Sequence, residues 1–170
     1  MRELSSLSRS EVANAVRSAH NAAVDRVDRV ALCSGSPLFE MLSNQELDAI
    51  CALLVPKDIP SGGVIFAEGA LGDGLYLIAS GEVEVFQTAH TAPIATLTVG
   101  ECFGEMALVD KEYRSATVKA RTDVQLLHLS PEALAEFRKA QKDGFAFLVM
   151  NIARLLSVRL REANLKLSQA

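Results

Sequence analysis

The chain has 170 residues, of which 49% are hydrophobic and 22% are charged, and its formal net charge is −4. This length suits one domain with a modest extension, and the apolar content is too high for a largely disordered chain. The acidic balance argues against general nucleic-acid binding, which needs a basic face. Neither a membrane-spanning run nor a signal peptide is present, so we expect a cytoplasmic protein that contacts neither membrane nor nucleic acid.

The N-terminal region predicts a helix over residues 9–32. Ser8 and Glu11 have the spacing of a capping box, and apolar residues then recur at three- and four-residue steps as far as Val30. The narrow, alanine-rich stripe favours packing on the same chain, and pairing with a second copy in a homodimer is the alternative. We assign residues 1–34 to an N-terminal helical extension and residues 35–170 to the main domain.

The segment from Ser34 to Pro37 predicts a break before the main domain. A second capping box, Ser43 to Glu46, then predicts a helix over residues 44–54, which ends before Pro56.

Between residues 55 and 130, short β-type runs alternate with glycine-rich turns. The predicted strands are Lys57–Pro60, Val64–Phe66, Leu75–Ala79, Val83–Gln87, Ile94–Thr98, Thr117–Ala120 and Val124–Leu129. Many short strands of this kind predict an α+β fold with a closed antiparallel barrel or jelly roll.

The region after Ser130-Pro131 predicts helices over about residues 131–168, with a bend near Asp143-Gly144. The last helix is strongly apolar, but its arginines exclude a membrane span. We expect one face to pack on the barrel and another to meet a protein partner.

Three cysteines, Cys33, Cys51 and Cys102, are far apart in the sequence, and no histidine stands at ligand spacing from them. We expect buried, reduced thiols, with a shared metal site as the alternative.

The residues best suited to bind a ligand lie in the segment 100–118, which we call the cassette. An apolar run after Gly104 suits one or two helical turns, whose free N–H groups attract an anion. Glu105 offers a carboxylate to hydroxyl groups, such as those of a ribose, and Arg114 offers a charged fork to phosphate, with Ser115 and Ala116 beside it. Taken alone, such a Glu and Arg also suit a surface ion pair.

The runs Phe103-Gly104-Glu105-Met106-Ala107-Leu108 and Arg114-Ser115-Ala116-Thr117-Val118 resemble the phosphate-binding cassette of the cyclic nucleotide-binding domain family. That family includes catabolite activator proteins, protein kinase A regulatory subunits and cyclic-nucleotide-gated channels. Upstream, Glu68-Gly69, Gly72-Asp73, Tyr76-Leu77-Ile78 and the run from Ser80 to Val85 strengthen the resemblance, which spans about residues 37–165.

The resemblance implies a binding protein without catalytic activity or a cofactor, whose ligand is cAMP or, as the alternative, cGMP. Glu105 would take the ribose 2′-hydroxyl and Arg114 the cyclic phosphate, helped by the backbone N–H groups of Ala107 and Ser115. Phe103, Gly104, Met106 and Ala116 complete the implied site in the cassette. Tyr113 replaces the proline that many members carry before the arginine, which leaves the rigidity of this loop open.

In the last helix, Arg159 aligns with a base-contacting position of the family, and a solvent-facing arginine near Glu162 is the alternative. The family's output domains do not follow before Ala170, so we expect a stand-alone sensor that signals through its C-terminal helix, or a fragment. A protein-interaction module that keeps the fold without the nucleotide is the second hypothesis.

Overall fold

The structure is a computed structural model, and it describes residues 29–109 and 113–168. Residues 29–34 are helical and form the described part of helix α1. The rest of the helix predicted over residues 9–32, including the capping box at Ser8, lies outside the described residues. The predicted break follows α1, because the chain turns at Gly35 and enters a 3-10 turn, Pro37–Phe39.

Helix α2 covers Asn44–Leu53 and begins at the predicted capping box. The Ser43 side chain accepts a hydrogen bond from the backbone N–H of Glu46, and the Ser43 N–H donates to the Glu46 carboxylate at 2.8 Å. Two backbone donors at the start of the helix are satisfied in this way, which fixes the start of α2.

Within the described residues, eight strands form two antiparallel sheets. They are β1 (Val55–Ile59), β2 (Val64–Phe66), β3 (Leu75–Ser80), β4 (Val83–Phe86), β5 (Ala95–Leu97), β6 (Cys102–Phe103), β7 (Thr117–Ala120) and β8 (Val124–Leu129). One sheet has the order β1-β8-β3-β6 and the other has the order β2-β7-β4-β5. All seven predicted strands are present, whereas the two-residue strand β6 was not predicted.

The two sheets face each other across a shared apolar core. Tyr76 and Phe103 from the first sheet and Val83 and Val118 from the second belong to one buried cluster. No strand of the described residues is hydrogen-bonded into both sheets. The predicted antiparallel barrel or jelly roll is confirmed: the two sheets form a jelly roll, and within the described residues strand pairing does not close it into a barrel.

Three helices follow or interrupt the strands: α3 (Met106–Val109), α4 (Pro131–Ala140) and α5 (Lys142–Ser168). The Ser130 hydroxyl accepts from the Ala133 N–H at 3.2 Å and caps α4, as predicted. The chain breaks at Gln141 and not at Asp143-Gly144. Gly144 instead lies inside α5, where a Cβ would lie 2.9 Å from the carboxyl group of Glu46, so its small size serves helix packing.

A second core lies between the helices and the first sheet. It joins residues of the 3-10 turn, α2, α4 and α5, among them Phe39, Ile50, Phe137, Leu148 and Ile152. In α5, Asn151 donates from its amide to the carbonyl oxygens of Leu38 at 3.1 Å and Glu40 at 2.8 Å. This contact ties the last helix to the entrance of the domain.

The cysteines are free and buried, as predicted. A hydrogen bond with Cys51, together with burial, raises the pKa of Cys33 far above its usual range, and burial raises the pKa of Cys102 to about 12. Within the described ranges, no group of His, Cys, Asp and Glu side chains is arranged to hold a metal ion. In the same ranges, no helix has the length and apolar character needed to cross a membrane.

Candidate functional site

Gly104 lets two parts of the cassette approach closely. It follows β6 with φ +78°, and a Cβ there would lie 2.6 Å from Nη1 of Arg114 and 3.0 Å from the carbonyl oxygen of Gly74. The Arg114 guanidinium instead lies against the bare backbone, and its Nη1 donates to the Gly104 carbonyl at 3.0 Å. Glycine is favoured here by the left-handed backbone and by the close contact.

Arg114 is buried, and its side chain is held from several directions. Nη2 donates to Oδ1 of Asp73 at 2.5 Å and to the Gly74 carbonyl at 2.8 Å. The guanidinium carbon lies 4.0 Å from the ring centroid of Phe66, a distance typical of a cation–π contact. The cation is thus oriented by a carboxylate, a carbonyl and an aromatic face.

Backbone pairing also fixes the loop around Arg114. Its N–H donates to the Ala70 carbonyl at 2.8 Å, and its own carbonyl accepts from the Gly69 N–H at 2.8 Å. Tyr113, which is 73% exposed, forms an isolated bridge with Leu71. Residues 69–71 therefore hold Tyr113 and Arg114 in place, although Tyr113 stands where many members of the resembled family carry proline.

Asp73 stands between Arg114 and three further side chains. The Tyr76 hydroxyl donates to its Oδ2 at 2.8 Å, and Lys57 Nζ lies 3.8 Å from the same oxygen. Burial acts to raise the pKa of Asp73, but the hydrogen bonds from Tyr76 and Arg114 and the charge of His128 outweigh it and hold that pKa below its usual value. Asp73 is therefore the counter-ion of Arg114.

Glu105 lies beneath the last helix. Its side chain is 5% exposed, and Oε1 accepts from Nη1 of Arg159 at 2.7 Å. The second terminal nitrogen of Arg159 donates to the Cys102 carbonyl. Arg159 therefore points toward the cassette, and the alternative of a solvent-facing arginine near Glu162 does not hold. Its ion pair with Glu105 joins α5 to the site.

Two polar atoms of the site are buried and have no hydrogen-bond partner in the described part of the chain. They are Nε of Arg114, a donor on a cation, and Oε2 of Glu105, an acceptor on a carboxylate. Leaving such a group unpaired costs about 1–3 kcal/mol. A donor suited to an anion and an acceptor suited to a hydroxyl, both in the cassette, fit a ligand that carries both groups.

The other residues predicted for the site differ in their surroundings. The Phe103 side chain is buried and stacks on Tyr76 with ring centroids 5.3 Å apart, so it belongs to the core. Ala107 is buried in α3, whereas Met106 is 48% exposed. The remaining two follow Arg114 directly: Ser115 is exposed and Ala116 is half-buried.

Some contributors to the site were not singled out as site residues from the sequence. Asp73 and Tyr76 belong to motifs that carried the family resemblance, but Lys57, Phe66 and His128 lie on strands without a distinguishing pattern. The register of the first sheet brings in Lys57 and His128, since His128 pairs with both Val55 and Tyr76. Phe66 comes from β2 of the second sheet.

An open surface depression of about 570 Å³ lies on α5, apart from the cassette. Its lining consists of Met150, Ala153, Arg154, Ser157, Val158 and Arg161. Large apolar side chains on this helix are also exposed, namely Val149, Met150, Val158, Leu160 and Leu165. The described part of α5 therefore has apolar surface beyond the face that packs on the domain.

Residues 56–141 match the family model of the cyclic nucleotide-binding domain. The chain is 42% identical over 137 residues to the cyclic AMP receptor protein of Thermus thermophilus, an alignment that covers 78% of this chain and 61% of that protein. A cAMP-dependent protein kinase regulatory subunit of Aspergillus fumigatus is 40% identical over 93 residues, covering 55% of this chain and 22% of the subunit.

The solved structure of a cyclic nucleotide-binding domain from Methylobacillus flagellatus superposes with a TM-score of 0.76 at 26% identity, covering 88% of this chain and 86% of that domain. By contrast, this chain spans at most 61% of the length of the curated relatives named here. The likeness to those relatives is thus confined to one part of each of them.

Proposed function

Since the chain belongs to the cyclic nucleotide-binding domain family, we propose that it binds a 3′,5′-cyclic purine nucleotide, preferably cAMP, as a regulatory sensor. The bound nucleotide is recognised and not converted, so no catalytic residue is assigned. We place the protein in the cytoplasm, where such a ligand is available.

The observation that carries this proposal is the pair of unpartnered buried atoms, Arg114 Nε and Glu105 Oε2. A cyclic phosphate would accept from Arg114, and a ribose 2′-hydroxyl would donate to Glu105. A 3′,5′-cyclic nucleotide presents these two groups on one rigid ring system, so binding both requires little additional ordering of the ligand. We assign Ala107 and Ser115 the role of backbone N–H donors to the same phosphate; the Ala107 N–H, which donates to the Gly104 carbonyl at 3.2 Å, would exchange that bond for the phosphate.

The output of the sensor is the position of α5. Arg159 and a ribose hydroxyl use the same carboxylate, Glu105, so occupancy of the site changes the surroundings of the ion pair that holds the helix. We also assign Arg159 the contact of α5 with the base in the closed position of the helix. The ligand shifts α5 only by as much as its affinities for the two helix positions differ.

Two observations favour cAMP over cGMP. The relatives named above include a cyclic AMP receptor protein and a cAMP-dependent kinase subunit. The residue after Arg114 is Ser115, where cGMP-selective members of the family often carry threonine. A serine hydroxyl still donates and accepts, so cGMP is the second candidate ligand.

The test is titration calorimetry of the full chain with cAMP, cGMP and acyclic 5′-AMP, after unfolding and refolding to remove any bound nucleotide. We expect micromolar or tighter binding of cAMP, weaker binding of cGMP and little binding of 5′-AMP. Tighter binding of cGMP would reverse the preference. No heat with either cyclic nucleotide would overturn the proposal and favour a protein-interaction module of the same fold.

The sensor passes its signal to a protein that binds the exposed apolar residues of α5. A second copy of the chain is one such protein. Light scattering of the eluting protein with and without cAMP tests this second case. A mass that equals one chain under both conditions excludes the homodimer.

A further inference from the structure

His128, on β8, stands directly behind the counter-ion of Arg114. Its Nε2 lies 3.0 Å from the backbone carbonyl oxygen of Asp73 and 3.7 Å from Oδ2 of the same residue. Its ring stacks on Tyr76 with centroids 4.6 Å apart. The imidazole can lie this close to the backbone because residue 74 is glycine: a Cβ there would lie 2.9 Å from Nε2 of His128.

The contact with the Asp73 carbonyl fixes where the imidazole gains a proton. A carbonyl oxygen only accepts hydrogen bonds, so Nε2 carries hydrogen in the neutral ring, and the second proton goes to Nδ1. Protonation therefore adds a full positive charge without breaking the contact to Asp73.

The charged and titratable groups that face His128 come from several elements. They are Lys57 on β1, Tyr76 on β3, Asp73 in the loop before β3, and Arg114 of the cassette. Burial and the positive charge of Lys57 lower the pKa of His128 below its usual value, although Asp73 acts in the opposite direction. The neutral imidazole is therefore favoured relative to that of an ordinary histidine, and lowering the pH brings in the charged form.

We propose that His128 is a positioning residue for the phosphate site: it acts through Asp73 on Arg114, and its protonation tightens the binding of the anionic ligand. The inference rests on the proposed function, because it concerns the same phosphate site. It adds a dependence on pH to that site.

The direction follows from the charges around Asp73. When His128 is neutral, the Asp73 carboxylate offsets much of the positive charge that Arg114 presents to an anion. A protonated His128 shares that carboxylate and leaves more net positive charge at the site, so an anion binds more tightly. The cyclic phosphodiester keeps one negative charge throughout this pH range, so the protein supplies the titration. By reciprocity, bound ligand makes His128 easier to protonate.

The experiment measures the dissociation constant of cAMP at constant ionic strength between about pH 7.5 and about pH 5.5, a range that spans ordinary histidine titration. The proteins are the full wild-type chain, His128→Gln and His90→Gln. Glutamine keeps an N–H donor and never gains charge. His90 is exposed in the segment between β4 and β5, so its variant is the matched control for loss of a histidine.

We expect the wild-type protein and His90→Gln to bind cAMP about threefold more tightly at the acidic end, a size typical of a partly screened charge several ångströms away. His128→Gln should show a flat profile. A wild-type profile that is flat, or a His128→Gln profile as steep as the wild type, overturns the inference while the proposed function stands. Absence of cyclic-nucleotide binding at every pH overturns both.

A second measurement needs no variant at His128. The ring protons of histidine are followed by NMR in the wild-type chain during a pH titration, with and without saturating cAMP. The midpoint of the His128 signal should move to higher pH when cAMP is bound. An unchanged midpoint contradicts the inference even if His128→Gln does not fold.

Discussion

Arg159 of α5 donates from Nη1 to Oε1 of Glu105 at 2.7 Å, and this ion pair joins the last helix to the loop after β6. The carboxylate is 5% exposed and the guanidinium side chain 30% exposed. The pair is therefore shielded on one side, and it includes the carboxylate that we propose as the acceptor for a ribose hydroxyl.

The first prediction concerns the strength of this pair. Glu105→Gln and Arg159→Gln, alone and combined, should show a coupling of about 1–2 kcal/mol in the free energy of unfolding, because one partner is desolvated. Urea unfolding followed by circular dichroism gives the four values. The exposed pair Arg121 and Glu82, 3.3 Å apart, is the control and should couple by less than about 1 kcal/mol. Equal couplings in the two pairs would show that burial of Glu105 adds nothing.

Arg114→Ala should weaken cAMP binding by at least ~2 kcal/mol, about thirtyfold, because a charge-assisted contact to phosphate is lost. Calorimetry measures the affinity, and the unfolding temperature shows whether the variant is folded, since Asp73 loses its cation. Arg121→Ala removes an exposed arginine outside the cassette and should bind cAMP as the wild type does. Unchanged affinity of a folded Arg114→Ala protein would remove this residue from the site.

Glu105→Ala tests the ribose contact. The wild-type protein should prefer cAMP to 2′-deoxy-cAMP, because only the former donates a 2′-hydroxyl hydrogen bond, worth about 1.5–3 kcal/mol to a charged acceptor. The variant should bind cAMP more weakly and lose most of that preference. If both proteins discriminate equally well between the two ligands in calorimetry, Glu105 does not read the ribose.

Local features of the fold were predictable from the sequence because their causes are local. The capping box at Ser43 and the cap at Ser130 satisfy backbone donors within one helical turn, and both helices begin there. Strand β6 was missed because two residues, Cys102 and Phe103, are too few to show an alternating pattern. The helix break was misplaced because Gly144 is small for a tertiary reason, its contact with Glu46.

The candidate site was predictable only in part. The resemblance in the cassette pointed to Glu105 and Arg114, and the family's base-contacting position in the last helix pointed to Arg159. Their protein partners depend on strand register and helix packing, which no short motif encodes. His128 enters the site because β8 pairs with β3 at Tyr76, a relationship between residues far apart in the chain.

Gly104→Ala should weaken both folding and binding. Its φ of +78° strains any side chain by roughly 1–2 kcal/mol, and the added Cβ would also meet the Arg114 guanidinium at 2.6 Å. Gly62→Ala is a matched control, because Gly62 has the same φ of +78° and no atom within 4 Å of its Cβ position. In urea unfolding, the strained backbone should lower the free energy of unfolding of both variants by similar amounts. Only Gly104→Ala should also lose affinity for cAMP. Equal affinities would show that Arg114 tolerates displacement.

The last prediction concerns acid stability and Asp73. Its pKa in the folded protein lies below the ordinary value of 3.8, since hydrogen bonds from Tyr76 and Arg114 and the charge of His128 outweigh the effect of burial. A lowered carboxyl pKa contributes stability above the ordinary value, and this contribution is lost as the pH falls through the folded value. The contribution should be modest, about 1 kcal/mol, because the side chain is 53% exposed.

Asp73→Asn should therefore be less stable than the wild type at neutral pH, and the two free energies of unfolding should converge as the pH falls through the folded pKa of Asp73, which lies below 3.8. Urea unfolding at a series of pH values measures the difference. Asp58→Asn, which removes an exposed carboxylate on β1, has the same change in charge and serves as the control. The difference between the free energies of unfolding of the wild type and Asp73→Asn could instead stay constant from neutral to acidic pH. The charge of the Asp73 carboxylate would then not stabilise the fold, and the effect of the substitution would come from the hydrogen bonds of the side chain to Arg114.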